Sequence, residues 1–177
     1  QHVVDEACAA ELPLQQEIVD LVVAIGVRVI RDGAAEAENL GVPAPRVAEV
    51  LHKEYGAKII AFSQFPLSFH KKAKQYEYIL SEYHEAPSRE ALVRLYQRPT
   101  LMLKASKYDA RSCAPVEAMK CGTVTVRAIE RGDDDLIDQH NCLKSGYDFD
   151  LMLENAKLLV ENPDFIAQAA ETFGSST

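Results

Sequence analysis

A short stretch of the chain concentrates polar side chains that can bind a ligand: Asp109, Arg111, Ser112 and Glu117. The apolar segment before it, Thr100 to Ala105, predicts a strand, and a turn that holds Asp109 and Arg111 is predicted to follow it. A helix is predicted from near Ala114 to Gly122, with Glu117 in its first turn, and the apolar segment after it predicts another strand. Strand, helix and strand in this order are typical of a βαβ unit. Ligands of parallel sheets bind where strands end and helices begin, so these side chains are predicted to line a binding site.

The rest of the chain supplies the elements that must position this stretch. The segment Leu21 to Val29 is a continuous apolar run rich in β-branched residues, which favours a strand buried on both faces. Further strands are predicted at Lys58–Ser63, Tyr76–Leu80, Thr123–Ile129 and around Leu143, with a loop at Glu82–Pro87. Helices are predicted at Pro45–Tyr55, from an N-cap at Ser88 to about Arg98, and at Leu136–His140, Phe149–Glu161 and Asp164–Phe173. This alternation predicts an α/β fold, a Rossmann-like doubly wound parallel sheet with helices on both faces.

Length and charge restrict the class of protein. A chain of 177 residues can bury one good core, and residues 21–173 are predicted to form it. Residues 1–20, interrupted by Pro13, are predicted to be a leader or linker helix, and residues 174–177 a tail. The formal charge of −8 argues against a general nucleic-acid-binding protein, which presents a basic face. No apolar run approaches the roughly 20 residues that span a bilayer.

The cysteines and the acidic residues do not predict a metal site. The four cysteines form no CxxC motif and do not cluster with histidine, which argues against zinc. They are interpreted as reduced thiols of a cytoplasmic protein. The acidic run from Asp133 to Asp135 has no second cluster at ligand spacing, so solvation is favoured over cation binding.

The stretch from Ser106 to Gly122, SKYDARSCAPVEAMKCG, resembles the donor-site signature of group 1 retaining glycosyltransferases of the GT-B fold. That signature is an acidic residue, seven others, then Glu followed by Ala-Met-x-Cys-Gly. Asp109 and Glu117 take the two acidic positions, although the family usually has Glu at the first and Gly-Phe-Gly after it. The resemblance extends over roughly residues 21–173 and implies the half of a GT-B enzyme that binds the nucleotide sugar.

The resemblance implies a role for each candidate residue near the reacting atoms. The family's second acid binds the ribose hydroxyls, a role carried here by Glu117, and its first acid contacts the donor sugar, a role carried by Asp109. Arg28 and Arg31 lie in GVRVIRDG, a segment like the family's Gly-Arg-Leu-x-x-x-Lys-Gly, whose two cations clamp the diphosphate and stabilise the leaving group. Matching both arginines requires one-residue slips in opposite directions, and a solvated pair at the end of a strand is the alternative.

Four more residues are assigned to donor binding: Gln64 and Ala86 by the same resemblance, and Arg111 and Ser112 by their position at the start of the predicted helix. Arg111 would add a phosphate contact, with a surface role as the alternative. Gln64 begins the loop that corresponds to the family's Gly-x-Gly-Pro. Ala86 lies in the loop that borders the base, where the family uses mainly backbone groups.

The resemblance therefore implies the donor-binding domain of a retaining glycosyltransferase that transfers a sugar from a nucleotide-diphosphate sugar. We expect a second, N-terminal half outside this chain to bind the acceptor, a glycan, lipid or protein, and this domain alone to be inactive. Neither a metal nor another cofactor is implied, nucleic acid is not a partner, and peripheral membrane association of the parent protein is left open. Two alternatives stay open: a nucleotide-sugar-binding module without turnover, and an interaction domain whose pocket is filled.

Overall fold

The structure, a computed structural model, describes residues 20–24, 43–69, 74–98, 101–109, 113–132, 142–162, 164–166 and 168. The predicted leader, the tail and the predicted helix Leu136–His140 lie outside these ranges. In the described part no helix is both long and apolar enough to cross a lipid bilayer.

Six parallel strands form one sheet: β1 (Asp20–Ala24), β2 (Lys58–Ser63), β3 (Leu80–Glu85), β4 (Leu101–Asp109), β5 (Val124–Gly132) and β6 (Leu143–Lys144). Their order is β3-β2-β1-β4-β5-β6, and every neighbouring pair is parallel. The order reverses between β1 and β4, which is the switch point of a doubly wound sheet. The predicted fold class is thus confirmed.

Among the described residues, helices on the two faces of this sheet are α1 (Pro43–Tyr55), α2 (Arg89–Gln97), α3 (Cys113–Lys120) and α4 (Phe149–Glu161). Helices α1 and α4 pack on one face, where Leu51 and Met152 share an apolar cluster with Leu103 of β4. Helices α2 and α3 pack on the other face, where Tyr96 and Ala118 share a cluster with residues of β2 and β4. Successive residues of β2 and β4 alternate between these clusters, so both strands are buried on both sides.

Several predicted boundaries agree with the structure because their sequence signals are strong. The bounds of β2 and α4 are those predicted, and the short strand at Leu143 is present. Helix α2 begins after Ser88, whose hydroxyl accepts a hydrogen bond from the backbone N–H of Ala91 at 3.2 Å.

The predicted third strand, Tyr76–Leu80, and the loop after it are wrong. A short 3₁₀ helix, Glu77–Ile79, occupies that place, and β3 runs through Leu80–Glu85, so that its last four residues fall in the predicted loop. The reason is the position of β3 at the edge of the sheet, where polar side chains can face solvent. Because β3 therefore contains no continuous apolar run, its sequence does not show the pattern of a buried strand.

Strands β4 and β5 are longer than predicted. Residues 106–109 continue β4 beyond the predicted end at Ala105, and Asp109 pairs with Gly132 of β5. Asp109 is therefore the last residue of a strand, and its predicted place in a turn is wrong. The polar sequence of this part reads locally as a turn, but hydrogen bonds from the neighbouring strand keep it extended.

The α2/α3 face of β4 and β5 buries four polar side chains among the described residues: Lys104, Thr123, Thr125 and Arg127. The register places Lys104 opposite Arg127, and Arg127 opposite the half-buried Lys144. Three cations therefore lie side by side on neighbouring strands beneath α3.

Replacing Thr125 by valine is expected to stabilise the fold. Thr125 is fully buried, and within the described part of the chain its Oγ1 has no hydrogen-bond partner. Valine keeps the shape and removes the unsatisfied hydroxyl, so the free energy of unfolding in urea should rise by about 1 kcal/mol. Thr123→Val is the matched control, since that hydroxyl donates to the backbone oxygen of Tyr96 and its loss should lower the free energy instead. A loss of stability in Thr125→Val would contradict this assignment.

Acid is expected to weaken the contact between β3 and the end of α2. Arg98 donates two hydrogen bonds to the carboxylate of Glu82, at 2.8 and 2.5 Å, and these bonds, followed by that from His84, lower the pKa of Glu82 from 4.5 to about 2. Because this folded-state pKa is depressed, the stabilisation is present at neutral pH and is lost as the pH falls from about 4.5 towards 2.

Carboxyl NMR titration tests this contact. The pKa of Glu82 should rise in Arg98→Gln, and the stability difference from the wild type should disappear below about pH 2. Arg94→Gln, an exposed change on the same helix, should leave the titration of Glu82 where it is.

Candidate functional site

The site predicted from the sequence lies where β4 ends and α3 begins. Asp109 closes β4, and α3 starts at Cys113. This is the carboxyl edge of the sheet, beside the switch point between β1 and β4. In sheets of this kind the two chain segments that leave the switch point diverge to opposite faces and open a crevice for a ligand.

Glu117 is an exposed residue of α3, but it is not in the first turn of that helix. The first turn, which contains no acidic residue, includes Pro115, whose missing N–H is tolerated at the start of a helix. The predicted first-turn position is wrong because the helix begins at Cys113. Since the effect of the helix dipole falls off within one turn, an electrostatic role at the helix terminus does not explain this carboxylate.

The carboxylate of Glu117 is held by a buried tyrosine of α2. The hydroxyl of Tyr96 donates a hydrogen bond to Oε2 of Glu117 at 3.3 Å. Burial of the ring, and then the charge of Glu117, raise the pKa of Tyr96 well above its usual value, so the phenol stays protonated. The sequence analysis missed Tyr96, because a residue 21 positions before Glu117 leaves no signal at local spacing.

The Ala-Met-x-Cys-Gly tail forms the end of α3. The N–H of Gly122 donates to the carbonyl of Met119 at 2.9 Å, and the N–H of Thr123 donates to that of Ala118 at 3.0 Å. Together these are the two bonds of a Schellman motif, and Gly122 has the required positive φ of 87°. The side chains of Ala118 and Met119 are buried against the sheet. Most of the tail is therefore structural, and it fixes the helix that presents Glu117.

Gln64 and Ala86 lie at the carboxyl ends of β2 and β3. Gln64 is exposed directly after β2, and Ala86 has a φ of 41°, in the left-handed region. The N–H of Ala86 donates to the carbonyl of Ser63 at 2.7 Å, and the Tyr83 hydroxyl donates to the carbonyl of Phe65 at 2.5 Å. These bonds tie the two loops together, so Gln64 and Ala86 belong to one ordered edge.

The remaining candidates are not tested by the structure. Arg28, Arg31, Arg111 and Ser112 lie outside the described residues, as does the side chain of Asp109. Arg28 and Arg31 follow β1 in the sequence, and Arg111 and Ser112 follow β4, the two strands at the switch point. Among the described side chains no group of three or more His, Cys, Asp or Glu residues could hold a metal ion.

Comparison by sequence gives no match, either to a protein-family model or to a curated protein. Solved structures do match. The catalytic domain of starch synthase IV from Arabidopsis thaliana, bound to ADP and acarbose, has a TM-score of 0.63 and 16% identity over 96% of this chain and 36% of that chain. The C-terminal domain of the glycosyl transferase group 1 family protein LpcC from Francisella tularensis has a TM-score of 0.64 and 14% identity over 93% and 90%.

An enzyme of another class is equally similar in fold. UDP-GlcNAc 2-epimerase from Neisseria meningitidis, bound to UDP-GlcNAc, has a TM-score of 0.65 and 11% identity, over 91% of this chain and 42% of that chain. The share of the other protein that this chain covers is 36% for the starch synthase domain and 90% for the LpcC C-terminal domain, so the chain matches one part of the longer structures. At these identities the similarity identifies the fold, the Rossmann-like half of a GT-B protein, and leaves the function to the residues of the site.

Replacing Gly122 by alanine is expected to destabilise the helix that carries Glu117. Within the described residues no atom lies within 4 Å of an added Cβ, so the expected loss of about 1–2 kcal/mol reflects only the positive φ. Gly122→Asn should lose less, because asparagine tolerates this conformation better. Urea unfolding of both variants tests the assignment, and equal losses would contradict it.

Proposed function

We propose that this chain is the donor-binding domain of a retaining glycosyltransferase that uses a nucleotide-diphosphate sugar. The observation that carries the proposal is the exposed carboxylate of Glu117, oriented by Tyr96 at the edge of the sheet where such folds bind ligands. Since an epimerase shares the fold, the choice of glycosyl transfer depends on the stretch from Ser106 to Gly122, which resembles the donor-site signature.

Glu117 is proposed to bind the ribose of the donor. Its two carboxylate oxygens offer about four acceptor positions, and the hydrogen bond from Tyr96 uses one of them. Two vicinal hydroxyl groups can therefore donate to the same carboxylate while Tyr96 stays in place. The fully protonated phenol leaves the negative charge of Glu117 intact, and hydrogen bonds to a charged acceptor are the stronger kind.

The base is proposed to lie towards β2 and β3. Three strand spacings separate β3 from β4, about 14 Å, a distance that an extended nucleoside diphosphate can cover. The bonded loops of Gln64 and Ala86 provide backbone groups at that end. ADP in the starch synthase domain and UDP-GlcNAc in the epimerase support a nucleotide ligand for this fold.

The diphosphate and the sugar are assigned to residues near the switch point. Arg28 and Arg31 would bind the diphosphate, Arg111 and Ser112 would add contacts to it, and Asp109 would contact the sugar. The anomeric carbon would exchange its bond to the diphosphate oxygen for a bond to the oxygen of an acceptor hydroxyl, with retention of configuration, and the hydroxyl would lose its proton to a group on the acceptor-binding domain. The arginines would stabilise the negative charge of the departing nucleoside diphosphate without a metal ion.

The acceptor is proposed to bind to a second domain, because this chain has the fold of one half of a GT-B protein. A glycan, lipid or protein would enter from that domain, and the parent protein would act in the cytoplasm. A binding module without turnover is the second candidate, favoured by Ala-Arg-Ser at positions 110–112, where the family has Gly-Phe-Gly. A transfer assay on the full-length parent separates the two.

Replacing Glu117 by glutamine is expected to weaken nucleoside-diphosphate binding by about 1.5–3 kcal/mol, the range for hydrogen bonds to a charged group. Inorganic pyrophosphate lacks a ribose, so its binding should hardly change. Titration calorimetry with ADP, UDP and GDP measures both effects. Glu154→Gln, an exposed change on α4 at the opposite face, is the matched control and should bind all ligands as the wild type does.

Two results would contradict the proposal. Equal losses for the nucleotide and pyrophosphate would mean that Glu117 acts by shaping its helix, and the ribose assignment would have to be abandoned. A wild-type chain that binds no nucleoside diphosphate would instead favour an interaction domain with a filled pocket.

A further inference from the structure

We propose that Tyr96 is a positioning residue that sets the orientation of the Glu117 carboxylate for the two hydroxyl groups of the ribose. This inference rests on the proposed function, since it assigns a role within the same site. The observation behind it is the hydrogen bond from the Tyr96 hydroxyl to Oε2 of Glu117, 3.3 Å long, which joins two helices on one face of the sheet.

Tyr96 is buried and makes several contacts, so its hydroxyl has a fixed position from which it can orient another side chain. Only 3% of its surface is exposed. Its ring packs edge-on against Phe62 of β2, with centroids 5.7 Å apart and an angle of 78° between the planes. Its carbonyl accepts a hydrogen bond from the hydroxyl of Thr123, which precedes β5. Contacts from β2 and from the residue before β5 thus fix both the ring and the backbone of Tyr96.

Glu117, by contrast, is exposed on a helix of eight residues. An exposed glutamate has three rotatable bonds and loses much rotamer freedom when a ligand fixes it. The bond to Tyr96 restricts that freedom before the ligand arrives, which is how preorganisation increases affinity. Tyrosine suits this role because it donates a hydrogen bond and carries no positive charge, which would compete with the ribose hydroxyls for the carboxylate.

The burial of Tyr96 keeps this donor available. Desolvation of the ring is the largest cause that raises the pKa of Tyr96, and the charge of Glu117 acts in the same direction. The phenol therefore keeps its proton at neutral pH, and the hydrogen bond does not depend on a titration near neutrality.

The test compares three ligands: a nucleoside diphosphate, its 2′,3′-dideoxy analogue and inorganic pyrophosphate. Tyr96→Phe removes the hydroxyl and keeps the ring against Phe62, so the fold should survive. The Kd for the nucleoside diphosphate should increase about tenfold, since one hydrogen bond to a charged group is lost. The Kd values for the dideoxy analogue and for pyrophosphate should stay within about twofold of the wild type, because neither ligand offers hydroxyls to Glu117.

A double-mutant cycle tests whether Tyr96 acts through Glu117. In the Glu117→Gln background, Tyr96→Phe should cause little further weakening, because the carboxylate that it orients is already gone. Tyr55→Phe is the matched control: the Tyr55 hydroxyl also donates to a glutamate, Glu161, but on the α1/α4 face. This control should bind all three ligands as the wild type does.

The outcomes separate this inference from the proposed function. If Glu117→Gln weakens nucleoside-diphosphate binding selectively but Tyr96→Phe binds as the wild type or more tightly, the role of Tyr96 is refuted and the ribose assignment stands. Equal weakening of all three ligands by Tyr96→Phe would mean a general structural role and would also refute it. A wild type that does not distinguish the nucleotide from its dideoxy analogue refutes the proposed function itself.

A second variant covers the case in which Tyr96→Phe does not fold. Phe62→Leu removes the ring that fixes Tyr96 from another strand and leaves both partners of the hydrogen bond in place. It should weaken binding of the nucleoside diphosphate several-fold and leave pyrophosphate unchanged. Unchanged binding of both ligands in Phe62→Leu would refute the positioning role.

Discussion

The parallel pairing of β4 with its neighbours is the interaction on which the rest of the structure depends. β1 pairs with β4 from Leu101 to Leu103, and β5 accompanies β4 up to Asp109. The end of β4 sets where α3 begins, and the Schellman motif at Gly122 sets where it ends. Glu117 therefore owes its position to backbone hydrogen bonds on both sides of its helix, while its carboxylate owes its orientation to Tyr96.

The two faces of the sheet differ in chemistry. The face under α1 and α4 is an apolar cluster, as in most protein interiors. The face under α2 and α3 includes the buried cations Lys104 and Arg127, opposite each other on β4 and β5. Buried charges persist only where other polar or charged groups compensate for the lost hydration. The helices that carry Tyr96 and Glu117 thus pack on the more polar of the two faces.

The parts of the fold with strong local signals could be predicted from the sequence. The apolar run of β2 and the helical pattern of α4 gave the observed bounds. β3 could not be found, because an edge strand needs no apolar run. The extension of β4 to Asp109 was also missed, because it depends on pairing with β5 rather than on the residues themselves.

The candidate site also contains residues that local sequence patterns reveal and residues that only the folded structure brings together. Glu117 could be found because its motif is local, and the buried parts of that motif are explained by the end of α3. Tyr96 could not, because its contact with Glu117 exists only once α2 and α3 pack side by side. Asp109 was found by spacing, although its place at the end of a strand was not predicted.

The central position of β1 has a consequence for how the chain folds during synthesis. β1 pairs with β2 soon after both are made, but its other partner, β4, emerges much later, since Leu21 pairs with Leu101. Contacts between residues so far apart in sequence slow folding, and the growing chain exposes an unpaired edge of β1 until β4 arrives. The helix that carries Glu117 follows β4, so a nascent chain that ends before β4 lacks both the end of that strand and Glu117, and with them the candidate site.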